Sequence, residues 1–253
     1  MFRLSEIARC LVAVLALAAG TLGTAVGVTP TVQPIREIQR ATAVHSFHQI
    51  EMAATGVVTW VDPAAGRDFY IQDDSGGIQV IMGDASLAWP EIGDLVTVEG
   101  LLGRGEFAPA IRRASFVVHG DSELPETQNV SGDVLLNGGY SCERVRLDGW
   151  IRAAEKVDPT TLSVVIGSGG ARITVRISDA AGLNAEELVA TRMVVSGVVT
   201  PVKPRGGTRQ LVDVRVLSHP SFCNIIEREA RNPWFAPVVS LAKAFSKPTA
   251  SAA

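Results

Sequence analysis

From residue 50 onward the chain is written in short runs of apolar, β-branched and aromatic residues. The first five lie near 50–61, 67–73, 77–82, 94–103 and 110–118, and Gly, Asp and Pro separate them. Runs of this length and composition predict strands. Alternation in Arg67-Asp-Phe-Tyr-Ile-Gln-Asp73 puts Phe69 and Ile71 on one face and Tyr70 and Gln72 on the other. In the next run Ile78 and Val80 share the core face, while Gln79 and Ile81 face outward. Asp62-Pro63 and Gly66 turn the chain after the first run, and Asp74-Ser75-Gly76-Gly77 predicts a hairpin turn in which Gly supplies positive φ. A short helix is expected over Ala85 to Pro90.

The same pattern returns about a hundred residues later. Gly56 matches Gly149 and Gly76-Gly77 matches Gly169-Gly170, both at an offset of 93. Asp94 to Gly100 matches Thr191 to Gly197 at an offset of 97, and His119 matches His219 at 100. The second unit carries a better short helix, with Asn184 as a cap before Ala-Glu-Glu-Leu. A lead-in segment precedes each unit: Val32 to Arg40 before the first and Val130 to Leu136 before the second. Pro237 to Phe245 looks like the lead-in of a third, after which the sequence stops at Ala253.

Three strands, a short helical link and two more strands is the order of an OB-fold. The expectation is therefore an all-β protein of two tandem five-stranded OB-like barrels. A single two-sheet sandwich is the competing reading, and the repeat argues against it. The predicted boundaries are 28–49 for the first lead-in, 50–120 for the first barrel, 121–142 for the linker, 143–222 for the second barrel and 223–253 for the tail.

Residues 1–27 read as an address rather than as fold. Arg3 and Arg9 form a basic start, Leu11 to Ala19 an apolar run, and Ala25-Val26-Gly27 a small-residue cleavage site. The expectation is an exported chain, in the periplasm or cell envelope, beginning at Val28 after cleavage. The alternative is an uncleaved membrane anchor. Composition adds exclusions. With 47% hydrophobic residues, 24 Gly and 13 Pro the chain is not a disordered one. A net charge of -3 argues against nucleic-acid binding driven by bulk charge. Three Cys do not make a disulfide scaffold or a zinc site.

Gly56-Val-Val-Thr-Trp60, Phe69-Tyr-Ile-Gln-Asp-Asp-Ser-Gly-Gly-Ile78, Gly93-Asp-Leu-Val-Thr-Val-Glu-Gly100 and Glu106-Phe-Ala-Pro-Ala-Ile111 resemble the exported tandem OB-like input region of bacterial sensor histidine kinases. They are also similar to OB domains that accompany secreted nucleases. The resemblance spans roughly residues 30 to 245. The second unit departs from it, with Ile166-Gly167-Ser168 in place of Gln-Asp-Asp. No kinase and no nuclease region is present in this sequence. The resemblance implies a non-catalytic sensing or binding module for a small ligand or an envelope protein, with no cofactor and no catalytic residue.

An OB-fold presents ligand on its second and third strands. Trp60, Tyr70, Gln72, Gln79 and Ile81 are thus the candidate contact face, against the plainer reading of a solvent face or an interface between units. Cys142 and Cys223 flank the second unit and form a candidate disulfide, against two separate thiols. Asp73-Asp74 reads as a turn rather than a metal pair, and His45 and His48 make an incomplete zinc site. His119 and His219 read as strand-end residues. Lys203-Pro-Arg-Gly-Gly-Thr-Arg209 is a basic loop between the last two strands. An alternative function comes from the fold: a binder of single-stranded nucleic acid or oligosaccharide. A basic groove across the second and third strands of a barrel would favour nucleic acid. A neutral pocket with convergent polar groups would favour a small ligand.

Overall fold

The computed structural model describes residues 30–44, 50–62, 68–83, 89–105, 108–202 and 213–228. The first barrel contains β1 (Glu51–Asp62), β2 (Asp68–Asp73), β3 (Gly76–Met82), β4 (Asp94–Arg104) and β5 (Pro109–Asp121). Their neighbour order is β1-β2-β3-β5-β4, and β4 returns to pair with β1. Only β3 and β5 run parallel. Alternation sends Phe69, Ile71, Ile78, Val80 and Ile111 into the interior, where each is fully buried. Helix α1 (Ile35–Val44) stops one end of the barrel, with Ile35 and Ile38 in the same core. Its first turn is tied to the β2–β3 hairpin: the Asp73 carboxylate accepts the Ile35 N–H at 2.9 Å and Ser75 Oγ accepts that of Arg36 at 3.0 Å.

The second barrel repeats this plan. Strand β6 (Gln128–Val130) and helix α2 (Gly132–Leu136) lead into β7 (Arg144–Lys156), β8 (Leu162–Ser168) and β9 (Ala171–Ile177). Helix α3 (Ala185–Leu188) links these to β10 (Thr191–Val202) and β11 (Asp213–Ser218). β10 closes onto β7, and β9 runs parallel to β11 as β3 does to β5. Leu135 of α2 enters this core as Ile35 and Ile38 enter the first. Asn184 caps α3 as expected, its side chain accepting the Glu186 N–H at 3.1 Å. Two tandem OB-like barrels are therefore the architecture.

The second barrel extends past the expected boundary at 222. A one-turn 3-10 helix (Pro220–Phe222) interrupts the last strand, and β12 (Cys223–Arg228) resumes pairing with β10. Together β11 and β12 do what the single strand β5 does in the first barrel. His219 caps the 3-10 turn, accepting the Ser221 N–H at 3.2 Å. His119 lies beyond Val118, which faces Val96, whereas the matching Met193 faces Ile225. The two histidines are thus not equivalent.

The repeat also changes register. Trp60 pairs with Tyr70, ten residues on, whereas Ala153 pairs with Val165, twelve residues on. The second hairpin is longer by two, so beyond it the offset is 95 rather than 93. Gly169 and Gly170 therefore match Asp74 and Ser75. They form their turn at φ +56 and +81, as glycine permits. The first turn is built differently. Neither Asp74 nor Ser75 has positive φ, and Asp73 Oδ1 accepts from the Ser75 N–H, the Ser75 hydroxyl and the Gly76 N–H.

Gly76 and Gly77 begin β3 instead of turning the chain, and Gly77 is glycine for a different reason. A Cβ there would overlap the Cys142 carbonyl, where the second barrel begins. Cys142 sits at φ +63, a left-handed conformation that costs a non-glycine residue roughly 1–2 kcal/mol. It is held there by its N–H on Val199 O at 2.8 Å and by Val199 N–H on Glu143 O at 3.0 Å. We expect Gly77→Ala to push the barrels apart and lower the unfolding free energy by about 1–3 kcal/mol, as overpacking does. Urea unfolding measures this; an unchanged midpoint would show that the close approach is not needed.

Candidate functional site

The outer faces of β2–β3 and β8–β9 are equivalent by register, and their fates differ. On the first barrel, Tyr70 projects outward as the alternation predicts and Trp60 lies beside it, yet they are only 7% and 4% exposed. Cys142, Val198 and Leu217 of the second barrel cover them. Gln72 Oε1 accepts the Arg144 N–H at 2.8 Å, a bond from one barrel to the other. Gln79 Nε2 donates to Asp68 at 2.8 Å, and Ile81 is half-buried. The candidate contact face of Trp60, Tyr70, Gln72, Gln79 and Ile81 is therefore corrected. Its first three members make the junction between barrels, and Gln79 is engaged within its own barrel.

The indole N–H of Trp60 has no hydrogen-bond partner among the described residues. An orphaned donor costs roughly 1–3 kcal/mol. Burying an aromatic side chain of about 150–250 Å² returns roughly 4–6 kcal/mol at about 25 cal/mol per Å². Packing wins, so Trp60 stays in.

On the second barrel the matching positions are small. Ala153, Val165 and Gly167 stand where the first barrel has Trp60, Tyr70 and Gln72. The lost bulk leaves a groove of about 700 Å³. Both barrels carry a bulge at the same point of the long first strand, at Thr59 and at Arg152. A bulge re-aims its side chain. Thr59 is buried and donates to Tyr70 O at 3.3 Å, whereas Arg152 is exposed and lies across Gly167. Arg172, on β9, completes a pair of cations on the groove. Half-buried Trp150 stands beside them. The lining holds no carboxylate, and neither arginine is ion-paired with one among the described residues. The nearest acid at the turn is Asp133, against Gly169. Such a surface can stack a planar group and neutralise an anion.

The remaining candidates resolve into structural roles or lie outside the described residues. Cys142 and Cys223 are separate thiols, which corrects the candidate disulfide. Cys142 is bonded beside Val199 on one edge of β10, and Cys223 pairs with Val195 on the other. Four residues of strand span about 13 Å, twice the reach of a disulfide. Burial pushes both thiols up to about 11, so both are neutral near pH 7. Asp73 is a turn and helix anchor, as its bonds above show. His119 Nε2 meets Thr97 Oγ1 at 2.8 Å. His45, His48, the basic loop Lys203 to Arg209, residues 1–27 and residues 229–253 lie outside the described residues. Among the described residues no group of three His, Cys, Asp or Glu is placed to hold a metal, and no helix is long and apolar enough to cross a membrane.

No family model matches the sequence, and no curated protein matches it. Solved structures similar to the chain include the HINa domain of Ifi202 in complex with 20bp dsDNA, at 12% identity and a TM-score of 0.33, covering 72% of this chain and 98% of that one. A murine DNA binding protein bound with ds DNA is similar at 10% identity and 0.34, covering 71% and 97%. A Replication Protein A heterotrimer bound to ssDNA is similar at 10% identity and 0.30, covering 75% and 51%. Likeness at this level carries no functional weight. The OB-like assignment stands on the strand order of the two barrels.

One titrating group sits at the junction. Burial raises the Glu143 carboxyl above its ordinary value, Arg36 opposes this and Asp73 adds to it. The folded state thus holds this proton more tightly than the unfolded chain. Its destabilising effect is absent below about pH 4 and grows as pH rises through the folded value. Thermal melts of Glu143→Gln are expected to match the parent at low pH and to exceed it at neutral pH. A gap independent of pH would assign the effect to something other than the carboxylate.

Proposed function

We propose that this protein is an exported, non-catalytic binding protein whose second barrel holds single-stranded nucleic acid. The observation that supports this reading is the groove beside β8–β9, in which Trp150 stands with Arg152 and Arg172 and no carboxylate is present. A single strand offers exposed base faces and a line of phosphates. Aromatic stacking and cations are the two contacts that such a strand takes. A small-ligand sensor would call for a neutral pocket with convergent polar groups. A neutral oligosaccharide would leave the two arginines without an anion. Arginine stays protonated and serves as neither base nor nucleophile, so the chemistry of this groove is binding. Residues 1–27 read as an export signal, so the strand would be met outside the cytoplasm.

The chain's charge of -3 sets a limit on this reading. Attraction is local to the groove, and specificity for anions depends on a few cations rather than on the whole surface. Fluorescence anisotropy with labelled thymidine and uridine oligomers across a salt series tests it. Trp150→Ala should weaken binding about 5- to 150-fold, the equivalent of about 1–3 kcal/mol for one stacked base. Replacing Arg152 and Arg172 together by Ala should reduce the slope of log K against log salt by about 1.4, at about 0.7 per phosphate contact. Absence of binding at low salt, or binding indifferent to both changes, would overturn the proposal.

A further inference from the structure

The two arginines of the groove meet at one residue. Arg152 lies over Gly167: its Nε is 3.1 Å, and its Cγ 3.4 Å, from where a Cβ on that residue would stand. Arg172 pairs with the same Gly167 from the neighbouring strand β9. Trp150 pairs with it from β7 on the other side. A glycine at this point leaves the space above its backbone open to both cations. The first barrel holds neither of them. Its equivalent positions are Thr59 for Arg152, Gln72 for Gly167 and Gly77 for Arg172. The pair therefore belongs to the uncovered face.

Like charges on adjoining positions of a sheet repel, and the charged groups around this patch do not relieve them. Arg192 of β10 pairs with Trp150, but Asp148 already holds it with bonds of 2.9 and 2.8 Å. Asp133 of α2 faces the turn at Gly169, two residues past Gly167. Glu155 of β7 pairs with Ser163, four residues before it. Among the described residues neither acid is ion-paired with Arg152 or Arg172. Strand β8 carries no charged residue. Two cations at one point are best met by two negative charges at one point. A phosphodiester within a strand carries one charge, whereas a phosphate monoester at its end carries about −1.5 to −2 near pH 7. The next cation on β9 is Arg176, four residues and about 13 Å from Arg172. Positive charge on this face is thus concentrated at one point instead of being spaced along a backbone. We propose that the groove binds the phosphorylated end of a nucleic-acid strand, with Arg152 and Arg172 clamping the terminal phosphate over Gly167 and Trp150 stacking the base beside it. This inference rests on the nucleic-acid reading of the groove and deepens it, since it names the strand end as the part recognised.

A ratio of affinities tests it. Anisotropy is measured with the full chain and one oligomer in three forms, 5′-phosphorylated, 3′-phosphorylated and unphosphorylated, each labelled at an end without phosphate. One phosphorylated form should bind about 10- to 150-fold tighter than the unphosphorylated strand, as a charge-assisted contact does. Arg152→Ala and Arg172→Ala should each bring that ratio close to one. Trp150→Ala should weaken both forms alike and keep the ratio. Lowering the pH from about 7.5 to about 5 should cut the ratio by up to about tenfold, because a phosphate with a second pKa near 6 is then mostly monoanionic. The arginines stay charged over this range. So does Asp133, whose carboxyl the Ser131 hydroxyl holds below the usual carboxylate range. Equal binding of all three forms would overturn the end preference and leave the groove reading intact. A ratio that survives both arginine changes would overturn the clamp. Absence of binding by every form at low salt would overturn the groove reading and this inference with it. A nucleoside monophosphate that competes as well as the phosphorylated oligomer would overturn the strand end as the source of the phosphate.

Discussion

The structure depends on a backbone contact that only glycine allows. Gly77 opens the third strand of the first barrel flush against the carbonyl of Cys142, and the second barrel's first strand starts two residues later. That approach lays Cys142, Val198 and Leu217 over Trp60 and Tyr70. It also lets Gln72 hold the Arg144 backbone. The outer face of one barrel is thereby converted into the floor for the next. Trp60 keeps an orphaned N–H and Cys142 an unfavourable backbone conformation. Both are smaller than the apolar burial that the contact secures.

This contact sets the division of labour between two barrels of one plan. Equivalent positions hold Trp60, Tyr70 and Gln72 in one and Ala153, Val165 and Gly167 in the other. Large residues in the first fill a joint, and small ones in the second leave a groove. The shared bulge on the first strand carries the same contrast, with a buried Thr59 against an exposed Arg152. Divergence at these positions costs neither fold its core, because the inward-facing residues alternate with them. Phe69, Ile71 and Ile78 stay apolar in one barrel as Val164, Ile166 and Ile173 do in the other. The Asp73 bonds that tie α1 to the β2–β3 turn show the same economy of position. A turn that glycine makes in the second barrel is made by a carboxylate in the first, and that carboxylate also caps a helix.

Much of the fold was legible in the sequence, since alternation and turn residues act locally. The strands, the Asn184 cap and the twofold repeat all come from such signals. The register step of two was not legible, because a hairpin can lengthen without changing the pattern of either arm. It led the glycines of the two units to be matched wrongly, and the 3-10 turn at Pro220–Phe222 did the same for His119 and His219. The candidate site failed for a different reason. Alternation shows which side chains leave the core, and for Tyr70 and Gln72 it was right. What it does not show is what lies outside the barrel, because the cover comes from Cys142, Val198 and Leu217, distant in sequence. Arg152 and Trp150 were passed over because the second unit departs from the aromatic motif. The departure itself, small residues where the first unit is bulky, was the signal for an open groove.

Hydrogen exchange with and without a single-stranded oligonucleotide tests the central claim, that the second barrel's face is the open one. Backbone amides of residues 150–153 and 165–172 should gain protection on binding, and those of residues 68–82 should not change. Protection appearing at 68–82, with none at the second barrel, would mean that the junction opens and that the covered face is the site.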